Sequence, residues 1–251
     1  PPRRRHPPPA SGSWARRCVS ETGPAAPAAA SAPPALPPLP DVVAQAERLV
    51  ALGVHEIAGL TADAVRAAAS DLAATAPAGA LLVVDPALAP PSALAPLLRL
   101  PAKDGEKEGF VVVDMTDVDR FAPIEGIVVP PGPLSLVTDV DRGDDLASWS
   151  PDEALPELTA RGRTPLLLHE GIHWALQAPD VLARNHCYMT VGSRLRKPDG
   201  RLDTRTPALW ISNGTGRDGR ERRGAPKVGW CWAGNRHTWL GFASAAGRLP
   251  A

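Results

Sequence analysis

His169-Glu170-Gly171-Ile172-His173 spells H-E-x-x-H inside a stretch, residues 166 to 176, that reads as helix. Two His four residues apart lie on one helical face and can hold a zinc ion, while the intervening Glu activates the metal-bound water. The pattern points to a zinc-dependent hydrolase with His169 and His173 as ligands and Glu170 as general base. The extended form, with a further Gly and a third His, fails because position 176 is Leu and position 179 is Pro. A third ligand would have to come from His186, Asp180 or Glu221, and spacing selects none of them. The plainer reading is a first helical turn in which Glu170 favours the N-terminal dipole and both His face solvent or a polar neighbour.

A second pattern, Gly214-Thr215-Gly216-Arg217-Asp218-Gly219, spells G-x-G-x-x-G after a strand-like run. A dinucleotide site needs a helix to follow, with its N-terminus toward the pyrophosphate. Arg220-Glu221-Arg222-Arg223-Gly224-Ala225-Pro226 is a poor helix, which leaves a hairpin tip or a phosphate-cradling loop. Asp139-Val140-Asp141-Arg142-Gly143-Asp144-Asp145 lacks the Gly and Glu positions of a calcium loop and reads as a turn with solvated carboxylates. The densest constellation is Trp230-Cys231-Trp232-Ala233-Gly234-Asn235-Arg236-His237-Thr238-Trp239, with Trp210 upstream. Rings interleaved with cations and amides suit stacking of a base or sugar beside anion contacts. Alternation also puts Trp230 and Trp232 on one strand face, where the expectation is that they fill the core.

The elements that must carry these residues are of mixed type. Val42, Val43, Ala46, Leu49 and Val50 recur at helical spacing and stop at Gly53, and Thr61 opens a second helix. Leu81 to Val84, Phe110 to Val113 and Leu134 to Val137 read as buried strands. Ser150-Pro151-Asp152-Glu153 opens a further helix. The last third reads as a small antiparallel sheet. The fold class is therefore α+β, a mixed helix/strand body followed by a small β-rich C-terminal part. Residues 1–40 form a Pro/Ala-rich segment expected to be disordered, 41–183 an acidic helix-and-strand region, and 184–251 a basic region packed with the body as one domain.

Charge sharpens that division, because 27 basic and 27 acidic side chains cancel only in total. Residues 41 to 183 carry nine basic and twenty-two acidic groups, whereas residues 184 to 251 carry thirteen basic and four acidic. The basic part either neutralises the acidic body or meets an outside anion. Three Cys leave one unpaired in any disulfide scheme, which favours a reducing compartment. The N-terminal Arg residues run into Pro7-Pro8-Pro9 instead of an apolar h-region, and no apolar run reaches the roughly 18 residues a membrane span needs. The expectation is a cytoplasmic chain without a membrane partner.

Asp114-Met115-Thr116-Asp117-Val118-Asp119-Arg120-Phe121, Asp139-Val140-Asp141-Arg142-Gly143-Asp144, Ser150-Pro151-Asp152-Glu153-Ala154-Leu155 and Gly229-Trp230-Cys231-Trp232-Ala233-Gly234-Asn235-Arg236-His237-Thr238-Trp239 together resemble an uncharacterised actinobacterial family, a domain of unknown function. The similarity runs from about Leu49 to Arg248. It implies no activity. It does imply that Leu167, His169 and His173 depart from the family pattern, which makes H-E-x-x-H accidental and Glu170 a capping-box residue. It also implies a tip of variable length between Gly214 and Gly224.

The leading expectation is a protein that binds an anionic small molecule or a nucleic acid through Arg217, Arg220, Arg222, Arg223, Asn235, Arg236 and His237, with no cofactor. The zinc hydrolase is the alternative. A third possibility, an enzyme acting on a phosphorylated or nucleoside-like substrate, has no identifiable nucleophile.

Overall fold

A computed structural model describes residues 33–103 and 105–250. The expectation of disorder for the first forty residues lies largely outside the described residues. Residues 33–40 have no regular structure, yet Leu36 and Leu39 pack against the core and the Pro40 carbonyl accepts from Gln45.

The helices are α1 (Val42–Ala51), α2 (Val54–Ile57), α3 (Ala62–Ala73), α4 (Pro91–Leu94), α5 (Pro151–Ala160) and α6 (Leu168–Gln177). The strands are β1 (Leu81–Val84), β2 (Arg99–Ala102), β3 (Gly105–Glu108), β4 (Phe110–Val111), β5 (Ala122–Pro123), β6 (Leu134–Thr138) and β7 (Thr164–Pro165). They continue with β8 (Cys187–Met189), β9 (Ser193–Arg194), β10 (Arg205–Ile211), β11 (Pro226–Trp232), β12 (Leu240–Phe242), β13 (Ser244–Ala245) and β14 (Gly247–Pro250). The chain is α+β. No described helix is long and apolar enough to cross a membrane.

Local chemistry sets the helix ends. Asp41 accepts the Ala44 N–H at 2.8 Å and starts α1, and Thr61 does the same for α3 through Ala64 at 3.1 Å. At α5, Pro151 occupies the first turn while Glu153 accepts from both the backbone N–H and the hydroxyl of Ser150.

Two sheets flank α6. One is antiparallel, in the order β1-β6-β14. The other has five strands in the order β12-β8-β10-β11-β4. It corrects the expected antiparallel sheet, because β12 runs parallel to β8 and β4 runs parallel to β11. Its edge strand β4 comes from the acidic region, so the acidic and basic regions share one sheet and one core.

All ten residues of α6 are buried, including His169, Glu170, His173 and Gln177. A helix buried all round is normally apolar, so each polar side chain on it needs a partner. Gly171 allows the closest approach: a Cβ there would stand 2.7 Å from Thr190 Cγ2 and 3.2 Å from Tyr188 Cε2. The Tyr188 hydroxyl donates to the Gly171 carbonyl at 2.8 Å, fixing the helix on β8.

On the opposite side α6 and α1 cover the outer edge of β1. The Gln45 side chain accepts from the Leu82 N–H at 2.8 Å and donates to the Ala80 carbonyl at 2.7 Å, as a neighbouring strand would. It thereby satisfies an edge that would otherwise be a buried row of unpaired peptide groups. Gln45→Leu keeps the volume but orphans those groups. A loss of about 2 kcal/mol is expected in urea titration.

Candidate functional site

The H-E-x-x-H side chains lie on α6, and hydrogen bonds commit His173 and Glu170 to the fold. His173 Nδ1 is 2.9 Å from the His169 carbonyl, and Nε2 accepts from the Val84 N–H at 3.2 Å. This pair of bonds fixes the neutral tautomer with the proton on Nδ1. Glu170 accepts the Leu167 N–H at 2.7 Å, the helix-start role that the resemblance implied. Its two oxygens also meet Arg248 of β14, with Nε to Oε1 at 2.5 Å and Nη2 to Oε2 at 2.7 Å. Arg248 donates further to Thr164 Oγ1 and the Pro165 carbonyl.

One helical turn therefore grips both edges of the three-stranded sheet, β1 through His173 and β14 through Glu170. Of the expectation that the two His face solvent or a polar neighbour, the solvent alternative is corrected, since both are buried, while His173 does meet polar backbone groups. Burial is the main reason that the His169 pKa falls to about 3, with the Arg248 charge adding to it. Burial likewise lowers His173 to about 4, against the opposing effect of its bond to the His169 carbonyl.

This donor set does not fit a zinc site. Both nitrogens of His173 are taken by the backbone, and the carboxylate proposed as general base is held by a guanidinium and a peptide N–H. His186 Nδ1 is 3.8 Å from Asp144 Oδ1, Asp180 lies in a short 3-10 turn, and Glu221 lies in the arginine-rich tip. Among the described residues no group of three or more His, Cys, Asp or Glu side chains is placed to hold an ion.

The acidic run is spoken for as well. Arg163 pairs with Asp139, the buried Arg142 with Asp144, and Arg161 with Asp145. Cys187 is buried, which pushes its thiol up to about 12.

The seven candidate binding residues fall into two groups at opposite ends of β11. That strand has seven residues and is roughly 20 Å long. At its far end, Arg236 pairs with Glu153 of α5 and donates to the Ser148 carbonyl. The Asn235 N–H donates to the Trp232 carbonyl. His237 is partly buried beside Trp239, which lowers its pKa, and its Nε2 has no hydrogen-bond partner among the described residues. Trp230 and Trp232 do share a strand face, with ring centroids 4.6 Å apart, but the expected core role fails for Trp232, which is 37% exposed.

The other group forms the tip between β10 and β11. Ser212 and Ala225 close its base by a backbone bond of 2.9 Å, and Asp218 braces it by accepting from Ser212 Oγ at 2.8 Å and Lys227 Nζ at 2.7 Å. Gly214 has φ +68, and a Cβ there would lie 2.5 Å from Arg223 Cβ, so only glycine permits this return of the chain. Arg217 pairs with Asp114 at 3.0 Å. Arg220 and Arg223 are exposed, and neither has a carboxylate partner among the described residues. The Arg222 guanidinium lies over the Phe110 ring, 4.3 Å from its centroid.

Beside this tip is a groove of about 270 Å³, lined by Lys107, Glu108, Phe110, Arg222 and Ala225 among others. Lys107 Nζ donates to the Glu221 carbonyl at 2.9 Å, tying β3 to the tip. Lys107 and Phe110 are the contributions that sequence reasoning missed. Nothing local predicts that β4 pairs with a strand more than a hundred positions later.

Elsewhere part of the basic region is spent internally. Arg205 pairs with Asp117 and Asp203, Lys227 with Asp218, and Arg248 with Glu170. The Arg205 bonds hold the Asp117 carboxyl below the usual carboxylate range. Neutralisation of the acidic body thus accounts for part of the charge segregation; Arg184, Arg196 and Lys197 have no carboxylate partner among the described residues, and the tip adds Arg220 and Arg223 on one short loop.

A model of a family of unknown function, DUF5701, matches residues 48–251. No curated protein and no solved structure matches the chain.

Proposed function

Because the chain belongs to DUF5701, a family of unknown function, membership brings no activity with it, and we propose from its own side chains that it binds an anionic ligand at the tip between β10 and β11. One observation carries this reading: Arg220 and Arg223 stand exposed without carboxylate partners among the described residues, on a loop braced by Asp218 and beside the Arg222–Phe110 stack. Two guanidinium groups without a carboxylate partner on one braced loop are available to phosphate or carboxylate oxygens. Arg217 supports the site through its exposed pair with Asp114, which an incoming anion can displace. The turn at Asn235 and Arg236 is a separate structure, tied to α5.

Inorganic polyphosphate is a suitable probe. Binding at low salt that weakens steeply with added salt is expected, followed by fluorescence competition. The double variant Arg220→Glu, Arg223→Glu is expected to lose roughly tenfold or more in affinity with an unchanged unfolding midpoint. Arg236→Ala is expected to leave affinity unchanged. Absence of measurable polyphosphate binding at low salt removes the proposal.

A further inference from the structure

A row of rings and cations crosses the five-stranded sheet next to the tip. Phe110 on β4 is the register partner of Lys227 on β11, and Lys227 is the partner of Trp210 on β10. Directly paired residues point to the same face, so these three stand side by side over two strand spacings, roughly 10 Å. Trp210 lies against that face, since a Cβ on Gly229 would come within 2.5 Å of its Cη2. Lys227 Nζ is 4.7 Å from the Trp210 ring centroid, Trp239 follows at 6.1 Å from Trp210, and His237 at 5.3 Å from Trp239. Trp210, Trp239, His237, Lys227 and Arg222 are each partly exposed.

We infer that the anion bound at the tip is single-stranded nucleic acid, its phosphates on Arg220 and Arg223 and its bases against the Arg222 guanidinium and the Trp210–Trp239 row. This rests on the anion-binding reading and adds the ligand's class to it. Every unpaired base offers a face for stacking on an aromatic ring or a guanidinium plane, whereas a duplex has already stacked its bases on one another. Geometry also favours a polymer over a free nucleotide. The groove of about 270 Å³ falls below the ~300–1,000 Å³ of pockets that engulf small ligands, and the row extends beyond it across neighbouring strands.

The test measures binding of four probes to the full chain at low salt by competition: a short oligothymidylate, a duplex of the same length, inorganic polyphosphate and polyglutamate. Intrinsic tryptophan fluorescence is followed in parallel. The inference expects the oligothymidylate to bind tightest and to quench tryptophan emission. It also expects Trp239→Ala to lower that affinity roughly tenfold while leaving polyphosphate binding unchanged. Trp239→Phe, which keeps a ring against Trp210, is expected to retain most of the affinity, and the ranking of probes on the unmodified chain needs no variant. Equal affinity for oligothymidylate and polyphosphate, or a preference for duplex or polyglutamate, overturns the inference and leaves the anion-binding reading standing. No binding of any probe removes both.

Discussion

Arg248→Met is expected to destabilise the protein by about 3–5 kcal/mol, because it strands the Glu170 carboxylate in the core. The side chains of Arg248 and Glu170 are 6% and 2% exposed, so no water replaces the lost guanidinium. Against a total stability of about 5–15 kcal/mol for a typical domain, that is a large share. Urea unfolding followed by circular dichroism measures it. Removing both charges, as Glu170→Gln with Arg248→Met, is expected to recover most of the loss, since an apolar or neutral replacement of a buried pair is often neutral. The surface pair between Arg66 and Glu47 is the control, and Arg66→Ala is expected to leave the midpoint in place. A change for Arg248→Met no larger than the control's would show that α6 does not clamp β14.

Acid is expected to destabilise the chain well above the pH at which its carboxylates protonate. His169 and His173 have pKa values of about 3 and about 4 when folded, against an ordinary value of 6.5. The unfolded chain therefore binds more protons than the folded one in the window between those values. Stability from each His is fully present above pH 6.5 and is lost as pH falls through that window toward the folded pKa. The loss is on the order of 5 kcal/mol for His169 and about 3 kcal/mol for His173, since one pKa unit is about 1.4 kcal/mol. Midpoints of urea unfolding are expected to fall steeply from pH 6.5 to 4. His173→Gln, which keeps an acceptor for the Val84 N–H, is expected to flatten that fall. A flat profile over this range in the unmodified chain would contradict the buried, neutral state of both rings.

Local signals in the sequence were good guides to individual elements. Thr61 and Ser150 mark the starts of α3 and α5 because capping depends on residues within one turn. Leu81–Val84 and residues 134–137 were visible as apolar runs because both lie in the core. The parallel pairing of β4 with β11 was not legible, since nothing in Phe110 or Lys227 encodes a partner so distant. The same distance hid the role of His173. Four-residue spacing shows that two His share a helical face, but it does not say whether that face meets a metal or the edge of a strand. At the tip, the arginines were legible as a cluster, whereas their separation from Asn235 and Arg236 follows from the length of β11.

The groove at the tip has one wall at Lys107 and Phe110 and the other at Arg222 and Ala225, from parts of the chain that meet only in the finished sheet. Such non-local closure is slow and entropically demanding. A ligand seated across those walls has affinity for the native state alone and must raise the melting temperature as its concentration rises, by RT ln(1 + [L]/Kd) in free energy. Thermal shift is thus a direct screen for whatever occupies the groove, with no need to know the chemistry beforehand.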